Sequence, residues 1–527
     1  MPAAPSILTD VARDFPDGLR DESRRTGTAD GIAFPGSSQE ICALLQQATQ
    51  AGRRVTIQGA RTGLAAGAVP DGGLVINLSR MDRILGVSFG PDGQARVCVQ
   101  PGVTLQALRN FLEGAATDTT NWEATSREAL ATLRTQHWFF PTDPTETSAS
   151  LGGMVACNAS GACSFAYGAM RRHIHRLTVA LADGDLLELE RGVQQATGRQ
   201  FHLSTRSGRV LSGPLPAYDL PQVKNAAGYY AAPDMALIDL FIGSEGSLGV
   251  ITEIALTLSP RPPITLGVVC FLPDEPRALD LVAWLRNPQP QAGAPRPVAI
   301  EYFDRGVLEL LRAARARGAH LPPMADHWQE AIYVEYAVAD DATMDACSAA
   351  LAGWIETHGG CADDTWAACD DLGRQRLKEF RHAAPEHVNL RIAERQRLHP
   401  GLTKLGTDLA VPDAYLRPVM AMYRRDLAAA QLEYVVFGHI GDNHVHVNIL
   451  PRDMLEYAQG KALYEAWARQ VVAWGGSVSA EHGIGKLKTN LLQVMYGAKG
   501  MAEMRALKRI FDPATLLGVG NLFPWEK

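Results

Sequence analysis

The segment EYVVFGHIGDNHVHVNIL, residues 433–450, constrains the fold most, because it predicts two paired strands that carry histidines. β-Branched and aromatic residues flank a Gly-Asp-Asn cluster, which is the pattern of a β-hairpin. With Asp442 and Asn443 as the two residues of the turn, His439 lies directly opposite His446. Their Cβ atoms are then roughly 5 Å apart, so the two imidazoles can meet.

A divalent metal is one ligand that such a pair can bind. Glu481, in the segment SAEHGIGK, can be the third protein ligand and leave a coordination position open for a substrate. Strand alternation also places His444, His446 and Asn448 on one face of the hairpin. Imidazole and carboxylate ligands suit zinc, manganese, iron or cobalt, so the pattern does not identify the metal. The alternative is that each histidine is structural.

Composition excludes several classes of protein. The 527 residues are enough for more than one domain, and 46% hydrophobic and 20% charged residues are ordinary for a soluble globular protein. A net charge of −7 without a long basic run argues against nucleic-acid binding. The eight cysteines form no Cys-x-x-Cys pair, which argues against an iron–sulfur cluster or a zinc ribbon and fits a reducing compartment.

Neither the N-terminus nor the apolar stretches of the sequence predict a targeting or membrane segment. The N-terminus has no apolar core stretch of the kind that signal peptides carry. The apolar run at 264–272 is far shorter than the roughly 20 residues that span a bilayer. We therefore expect a cytoplasmic protein, with peripheral attachment at the inner face of the membrane left open.

The chain divides into three predicted parts. Residues 1–34 are polar and form an N-terminal extension, residues 35–262 are rich in Gly and short strands, and residues 263–527 form a second domain after the Arg-Pro-Pro linker. Residues 116–138 read as a helical insertion. In the second domain strands alternate with helices, which predicts an α+β sheet covered by helices on one side.

Three Gly-rich clusters lie in the first domain, at 58–67, 141–162 and 243–252. Small residues there let backbone N–H groups approach an anion such as a phosphate. None is the Gly-x-Gly-x-x-Gly of a dinucleotide-binding Rossmann fold in its proper context, and none is a P-loop. Singly each is typical of a tight turn, whereas together they indicate one extended dinucleotide cradle.

These motifs carry a resemblance to a known superfamily. The first half resembles the FAD-binding domain of the vanillyl-alcohol oxidase / p-cresol methylhydroxylase (PCMH) flavoproteins through QGARTGLAAGAVP, FPTDPTETSASLGGMVACNASG, YGAMRRHIHRLTVALADGD and FIGSEGSLGVITE. The second half resembles the FAD-linked oxidase C-terminal domain through GHIGDNHVHVNIL, SAEHGIGK and FDPATLL. The group most similar is the FAD-dependent D-2-hydroxyacid dehydrogenases. The resemblance implies an α+β protein with a two-subdomain PCMH-type FAD-binding domain followed by an α+β C-terminal cap domain.

The resemblance also implies roles for particular residues. The FAD would be bound non-covalently, because the loop at 58–63 contains no His or Cys. The metal, with zinc expected and manganese, iron or cobalt as alternatives, would be held by His439, His446 and Glu481. His482 would be the catalytic base. Substrate would contact Arg381, Lys404 and Asn448. The residues that the resemblance assigns to FAD are Gln58, Gly59, Ala60, Arg61, Thr62, Gly63, Thr142, Asp143, Ser148, Gly152, Gly153, Asn158, Gly161, Glu245, Gly249, Val250 and Ile251.

The chain departs from the family pattern at two places. Where the family reads Gly-Asp-Gly-Asn after the first histidine, Asn443 replaces Gly and His444 replaces Asn, which adds a third imidazole and leaves the ligand set open. The usual Leu-Asn-Pro-Gly-Lys ending stands here as Leu517-Gly518-Val519-Gly520-Asn521, without the lysine.

The activity that the resemblance implies is oxidation of a small D-2-hydroxy acid such as D-lactate to the 2-oxo acid. Metal-assisted hydride transfer would reduce the flavin, and an external acceptor would reoxidise it: a cytochrome, a quinone, an electron-transfer flavoprotein or an iron–sulfur subunit. The alternatives are a glycolate oxidase flavin subunit, an alkyl-glycerone-phosphate synthase-like flavoprotein and a non-catalytic flavin-binding subunit. A homodimer is compatible with the sequence.

Overall fold

A computed structural model describes residues 5–287 and 295–524 of the chain. The helices of the first half are α1 Val11–Asp14, α2 Ser38–Gln50, α3 Leu105–Leu112, α4 Ala124–Thr135, α5 Leu151–Ala156 and α6 Ser164–Tyr167. Its strands are β1 Gly31–Ala33, β2 Val55–Gln58, β3 Leu74–Asn77, β4 Ile84–Phe89, β5 Ala95–Val99, β6 Trp138–Phe139, β7 Ile174–Ala180, β8 Leu186–Glu190, β9 Gln200–Ser204, β10 Val210–Pro214, β11 Val250–Thr257 and β12 Ser259–Pro260.

The helices of the second half are α7 Glu275–Arg286, α8 Arg305–Ala316, α9 Asp341–Thr357, α10 Asp371–Gln396, α11 Leu416–Ala430, α12 Met454–Ala473 and α13 Thr489–Phe511, the last interrupted at Gly497. Its strands are β13 Ile264–Leu272, β14 Ala299–Phe303, β15 Glu330–Val338, β16 Thr365–Ala368, β17 Leu405–Gly406, β18 Tyr434–Gly438 and β19 His446–Ile449.

Besides the two-stranded pairs β9-β10 and β6-β12, the first half contains two larger sheets, in agreement with the predicted two subdomains. One is parallel, in the order β1-β3-β2, and the other is antiparallel, in the order β4-β5-β11-β7-β8. Helix α2 begins where the Ser37 side chain accepts a hydrogen bond from the backbone N–H of Glu40. Its apolar residues recur at helical spacing, so one face packs on the parallel sheet.

Part of the predicted N-terminal extension folds with the first subdomain. Strand β1 pairs with β3, and Ile32 lies opposite Val75. Val11 and Leu19 pack on these two residues in a small apolar cluster. The predicted insertion at 116–138 contains helix α4, which packs on β4.

The second half is built on an antiparallel sheet in the order β16-β13-β15-β14-β18-β19-β17. Helices cover both faces of it, so the prediction of helices on one side was wrong. Val268 and Cys270 of β13 pack with α7 and α9, whereas Val269 and Phe271 pack with α8 and α10. A strand that is apolar at consecutive positions must bury both faces, which explains the two layers.

The histidine-bearing hairpin has a longer connection than predicted. Phe437, not His439, lies opposite His446. The strand ends at Gly438, whose φ is +132°, and a 3-10 turn follows at Ile440–Asp442. Ile440 is fully buried, and Gly441 packs closely against Phe165 of α6. Packing against the first half therefore stabilises a turn that local sequence rules do not favour.

The end of the second half returns to the first half. The Phe511 ring stacks on Phe201 with centroids 5.5 Å apart, and Leu517 forms a β-bridge with Val55. The segment that contains Glu481 and His482 also lies between the two halves, because Glu481 contacts Lys224 of the first half and His446 of the second. No helix in the described ranges is long and apolar enough to cross a bilayer.

Candidate metal and substrate site

His439, His446 and Glu481 meet at one point, as the sequence predicted. Nε2 of His439 lies 3.2 Å from Glu481 Oε2, and Nε2 of His446 lies 3.1 Å from Glu481 Oε1. The two imidazole centroids are 5.8 Å apart. The predicted strand register was wrong by two residues, yet the side chains still converge on Glu481.

Both imidazoles are held from behind by an acceptor. His439 Nδ1 donates to Glu301 Oε1 at 2.6 Å, and His446 Nδ1 donates to the carbonyl oxygen of Thr407 at 2.7 Å. These contacts fix the Nδ1 proton and direct Nε2 of each ring at Glu481. A histidine that binds a metal commonly has such a second partner.

His444 lies in the same cluster and is fully buried. Its ring centroid is 4.4 Å from that of His446 and 5.5 Å from that of His439. Its Nε2 lies 3.1 Å from Asp408 Oδ1, but neither ring nitrogen makes a hydrogen bond. The potential ligand atoms of His439, His444, His446 and Glu481 all lie within 4.8 Å of one another.

His482, the predicted base, stacks on His446 with centroids 5.3 Å apart and an interplanar angle of 11°. Its Nε2 lies 3.4 Å from Glu481 Oε1, and its Nδ1 lies 3.7 Å from Asp408 Oδ2. Its side chain is 27% exposed, more than those of His439 and His446. It is therefore the imidazole of the cluster that a substrate can reach most directly.

Asp408, which the sequence did not single out, anchors the Glu481–His482 segment. Its carboxylate accepts the backbone N–H groups of both residues at 3.1 Å. It also accepts from Ser479 Oγ and from Lys488 Nζ, each at 2.6 Å. Burial alone would raise the pKa of Asp408, but Lys488 and His482 outweigh it and hold that pKa well below its usual range.

The cluster is electrostatically polarised. Burial would lower the pKa of His439, but Glu301 and Glu481 outweigh burial and raise it to about 10. Burial lowers the pKa of His446, and it lowers the pKa of His444 further. The pKa of Glu481 is held well below its usual range, against burial, by His439 and Lys224. A divalent cation that binds here would displace the proton from His439.

Lys224 and Ser160 connect this cluster to the first half. Lys224 Nζ donates to Glu481 Oε2 at 2.9 Å, and Ser160 Oγ donates to the same oxygen at 3.4 Å. Glu245, predicted to line the cofactor, accepts the backbone N–H groups of Ile484 and Gly485 at 2.7 Å each. Its side chain therefore holds the loop that carries Glu481 against the first half.

The first two Gly-rich clusters meet in space. A Cβ built on Gly59 would overlap Ser150 Oγ, which also accepts the N–H groups of Ala60 and Gly153 at 3.3 Å each. Ser150 is thus the cap of α5, and no sequence signal beyond its place before the Gly pair marked it. Ser148, the predicted residue, is exposed. Arg61, in this loop, has a φ of 62°.

The cradle contains other close approaches. Gly161 packs so tightly on the Asp143 carbonyl that a Cβ would overlap it. Glu245, with a φ of 53°, donates its N–H to the Ala156 carbonyl at 2.9 Å, which joins the second and third clusters. Thr142 Oγ1 is buried without a hydrogen-bond partner. An unpaired buried hydroxyl is a group that a polar cofactor would satisfy.

The other predicted FAD residues occupy the same three segments. Gln58 is buried and donates to the carbonyls of Gly18 at 2.7 Å and Ala68 at 2.8 Å, so its side chain supports the loop. Asn158 Oδ1 accepts from the Arg171 N–H at 3.0 Å. The remaining predicted positions are Thr62, Gly63, Gly152, Gly153, Gly249, Val250 and Ile251, which lie in the first loop, at the start of α5 and at the start of β11.

The three predicted substrate residues differ in their availability. Among the described residues the Arg381 guanidinium has no hydrogen bond or ion pair and lies over the Tyr333 ring, 5.9 Å from its centroid. Lys404 has no such partner in the described ranges either. Burial, and to a smaller extent the positive charge of Arg24, lower the pKa of Lys404. Asn448 is 2% exposed and donates to the His446 carbonyl at 3.3 Å.

Glu301, Asp408 and Lys224 are the residues that sequence reasoning missed. Glu301 carried a usable signal, since it is the one charge inside the apolar run Val298–Phe303. Asp408 and Lys224 carried none, because their partners lie far away along the chain.

Comparison with known families agrees with this architecture. Residues 269–522 match the model described as FAD linked oxidases, C-terminal domain. Residues 29–121 and 124–190 match the FAD binding domain. The chain therefore belongs to the flavoproteins that join an FAD-binding domain to an FAD-linked oxidase C-terminal domain.

Named relatives extend over nearly the whole chain. "Probable D-lactate dehydrogenase, mitochondrial" of Danio rerio is 29% identical over 95% of this chain and 86% of its own length. A D-2-hydroxyglutarate dehydrogenase of Xanthomonas citri pv. viticola is 29% identical over 96% of this chain and 91% of its own length. A solved alkyldihydroxyacetonephosphate synthase superimposes with a TM-score of 0.59 over 94% of this chain and 76% of its own, at 14% identity. That likeness shows the shared fold alone.

Proposed function

We propose that this protein is an FAD-dependent dehydrogenase that oxidises a small D-2-hydroxy acid, such as D-lactate, to the 2-oxo acid. The observation that carries the proposal is the position of Glu481. Both His439 and His446 contact it, and so do Ser160 and Lys224 of the FAD-binding domain. The residues that could bind a metal thus lie next to the FAD-binding domain. The names of the relatives support the substrate class.

The residues present fit both groups that this chemistry needs. When bound, FAD supplies a two-electron acceptor and the divalent metal supplies a Lewis acid for the substrate hydroxyl. His439, His446 and Glu481 would hold the metal, and zinc is the metal we propose for two imidazoles and a carboxylate. The cradle around Thr142, with its unpaired hydroxyl, would hold the FAD without a covalent bond.

Arg381 is suited to bind the substrate carboxylate. It lies on α10 and has no carboxylate partner among the described residues, while Glu301 and Asp143 raise the pKa of its guanidinium against the effect of burial. A planar guanidinium binds a carboxylate with two parallel hydrogen bonds, and this geometry orients the neighbouring carbon. Lys404 would add a second positive charge at the carboxylate end.

His482 is suited to remove the hydroxyl proton. It is the more exposed imidazole, and the carboxylates of Glu481 and Asp408 flank its two ring nitrogens. They would stabilise the imidazolium that forms when His482 accepts the proton. General-base catalysis of this kind typically contributes about 10²–10⁴-fold in rate. Electrons would then pass to an external acceptor such as a cytochrome, a quinone, an electron-transfer flavoprotein or an iron–sulfur subunit.

The experiment that tests the proposal is anaerobic bleaching of the bound flavin with a panel of hydroxy acids. We expect D-lactate or another D-2-hydroxy acid to reduce the flavin, and the L-isomers to leave it oxidised. Treatment with a chelator should slow the reduction, and added metal should restore it. Reduction by L-isomers only, or by no hydroxy acid, would overturn the proposal. Reduction by glycolate alone would favour a glycolate oxidase subunit.

A further inference from the structure

The buried imidazole of His444 lacks the partners that buried polar groups have. Its side chain is fully inaccessible to solvent, yet neither ring nitrogen makes a hydrogen bond in the structure. The large majority of buried side-chain polar atoms in native proteins have a hydrogen-bond partner, so an unpaired imidazole requires an explanation. A bound ion is one group that would pair it.

Among the described residues, Asp408 is the carboxylate that pairs with His444. Its Oδ2 accepts from the His482 N–H, from Ser479 Oγ and from Lys488 Nζ, whereas its Oδ1 accepts from the Glu481 N–H. His444 Nε2 lies 3.1 Å from this Oδ1 as an ion-pair contact, and His444 Nδ1 has no hydrogen-bond partner among the described residues.

The position of His444 fits the metal cluster instead. Its ligand atom and those of His439, His446 and Glu481 all lie within 4.8 Å of one another. Its ring is nearer to that of His446 than the ring of His439 is, with centroid distances of 4.4 Å and 5.8 Å.

We propose that His444 is a fourth protein ligand, which makes the site a three-histidine, one-glutamate centre. This inference rests on the proposed function only in assuming that the cluster binds a divalent metal. One ring nitrogen of His444 would coordinate the ion, and Asp408 would lie beside the other nitrogen, as a carboxylate often does behind a metal-bound imidazole. A third imidazole favours zinc or cobalt over manganese, which prefers oxygen ligands.

The test is metal affinity, measured separately from turnover. The flavin-loaded protein is stripped with a chelator, and zinc and manganese dissociation constants are measured by competition with a chromogenic chelator. We expect His444→Asn to weaken zinc binding about 10–100-fold and manganese binding less. His173→Asn is the matched control, because His173 is also buried but pairs with the Tyr167 carbonyl outside the cluster. Equal zinc affinity in wild type and His444→Asn would overturn the proposal.

A measurement on the wild type covers the case in which His444→Asn does not fold. X-ray absorption of the zinc- or cobalt-loaded protein counts the imidazoles around the metal. Three imidazoles support the proposal and two refute it. The number of imidazoles is independent of whether D-2-hydroxy acids bleach the flavin. A failure of this inference is therefore distinguishable from a failure of the proposed function.

Discussion

Glu301 lies directly behind His439, with its Oε1 at 2.6 Å from Nδ1 of the ring and on the side away from Glu481. The carboxylate is buried, and the neighbouring imidazole holds its pKa below the usual value although burial alone would raise it. Glu301, in β14, thus keeps a buried negative charge. This charge orients the His439 ring and increases the basicity of its Nε2.

Replacement of Glu301 by Gln should therefore weaken metal binding by about 10–100-fold, since an amide oxygen still accepts the Nδ1 proton but carries no charge. Metal content after dialysis against a chelator measures the effect, and the flavin absorbance should stay at the wild-type level. Full retention of metal in Glu301→Gln would show that the contact is structural only.

Arg381→Lys should raise the KM for the hydroxy acid by about 10–100-fold, because a lysine cannot form the two parallel hydrogen bonds of a guanidinium. Stability should change little, since Arg381 has no ion pair to lose among the described residues. Arg376→Lys is the matched control on the exposed face of the same helix, α10. Steady-state kinetics with both variants check this, and an equal KM for Arg381→Lys and wild type would contradict it.

Part of this site could be predicted from the sequence and part could not. The histidines and Glu481 were predictable because His439 and His446 lie in one short segment of alternating pattern and the Glu-His pair follows soon after. The strand register was not predictable, because Gly441 packs on Phe165, and these two residues lie far apart in the chain. Turn rules describe local geometry and do not include such packing.

The supporting residues were hidden for the same reason. Asp408 acts on Glu481 and His482, and Lys224 acts on Glu481 from the other half of the chain. Only the folded chain brings these pairs together. The Gly-rich clusters, in contrast, were predictable because a close backbone approach needs glycine at each point, as Gly59 against Ser150 shows.

Gly59→Ala and Gly353→Ala should change stability in opposite directions. A Cβ at Gly59 would overlap Ser150 Oγ, so overpacking should destabilise the protein by about 1–3 kcal/mol and reduce its flavin content. Gly353 lies in helix α9, where a Cβ meets no atom within 4 Å, so alanine should stabilise by about 0.5–1 kcal/mol. Denaturant unfolding of both variants measures the two signs. An unchanged free energy of unfolding in Gly59→Ala would mean that the first loop does not pack closely against α5.

Glu330 should make the stability of the second half depend on pH. Burial, and then the nearby Asp304, raise the pKa of Glu330 from 4.5 to about 8, and the Tyr302 hydroxyl donates to its Oε2 at 2.7 Å. The folded state therefore keeps a proton that the unfolded chain has already lost. This stabilising contribution is complete below pH 4.5 and is lost as the pH rises through about 8.

Within that window each pH unit should lower the free energy of unfolding by at most about 1.4 kcal/mol. Glu330→Gln keeps an oxygen that can accept from Tyr302 but has no proton to lose, so its stability should fall less between pH 5 and pH 8 than that of the wild type. Urea unfolding of both proteins at the two pH values gives the difference, and titration of the other groups cancels between them. Parallel curves for the two proteins would mean that Glu330 is ionised in the folded state throughout this range.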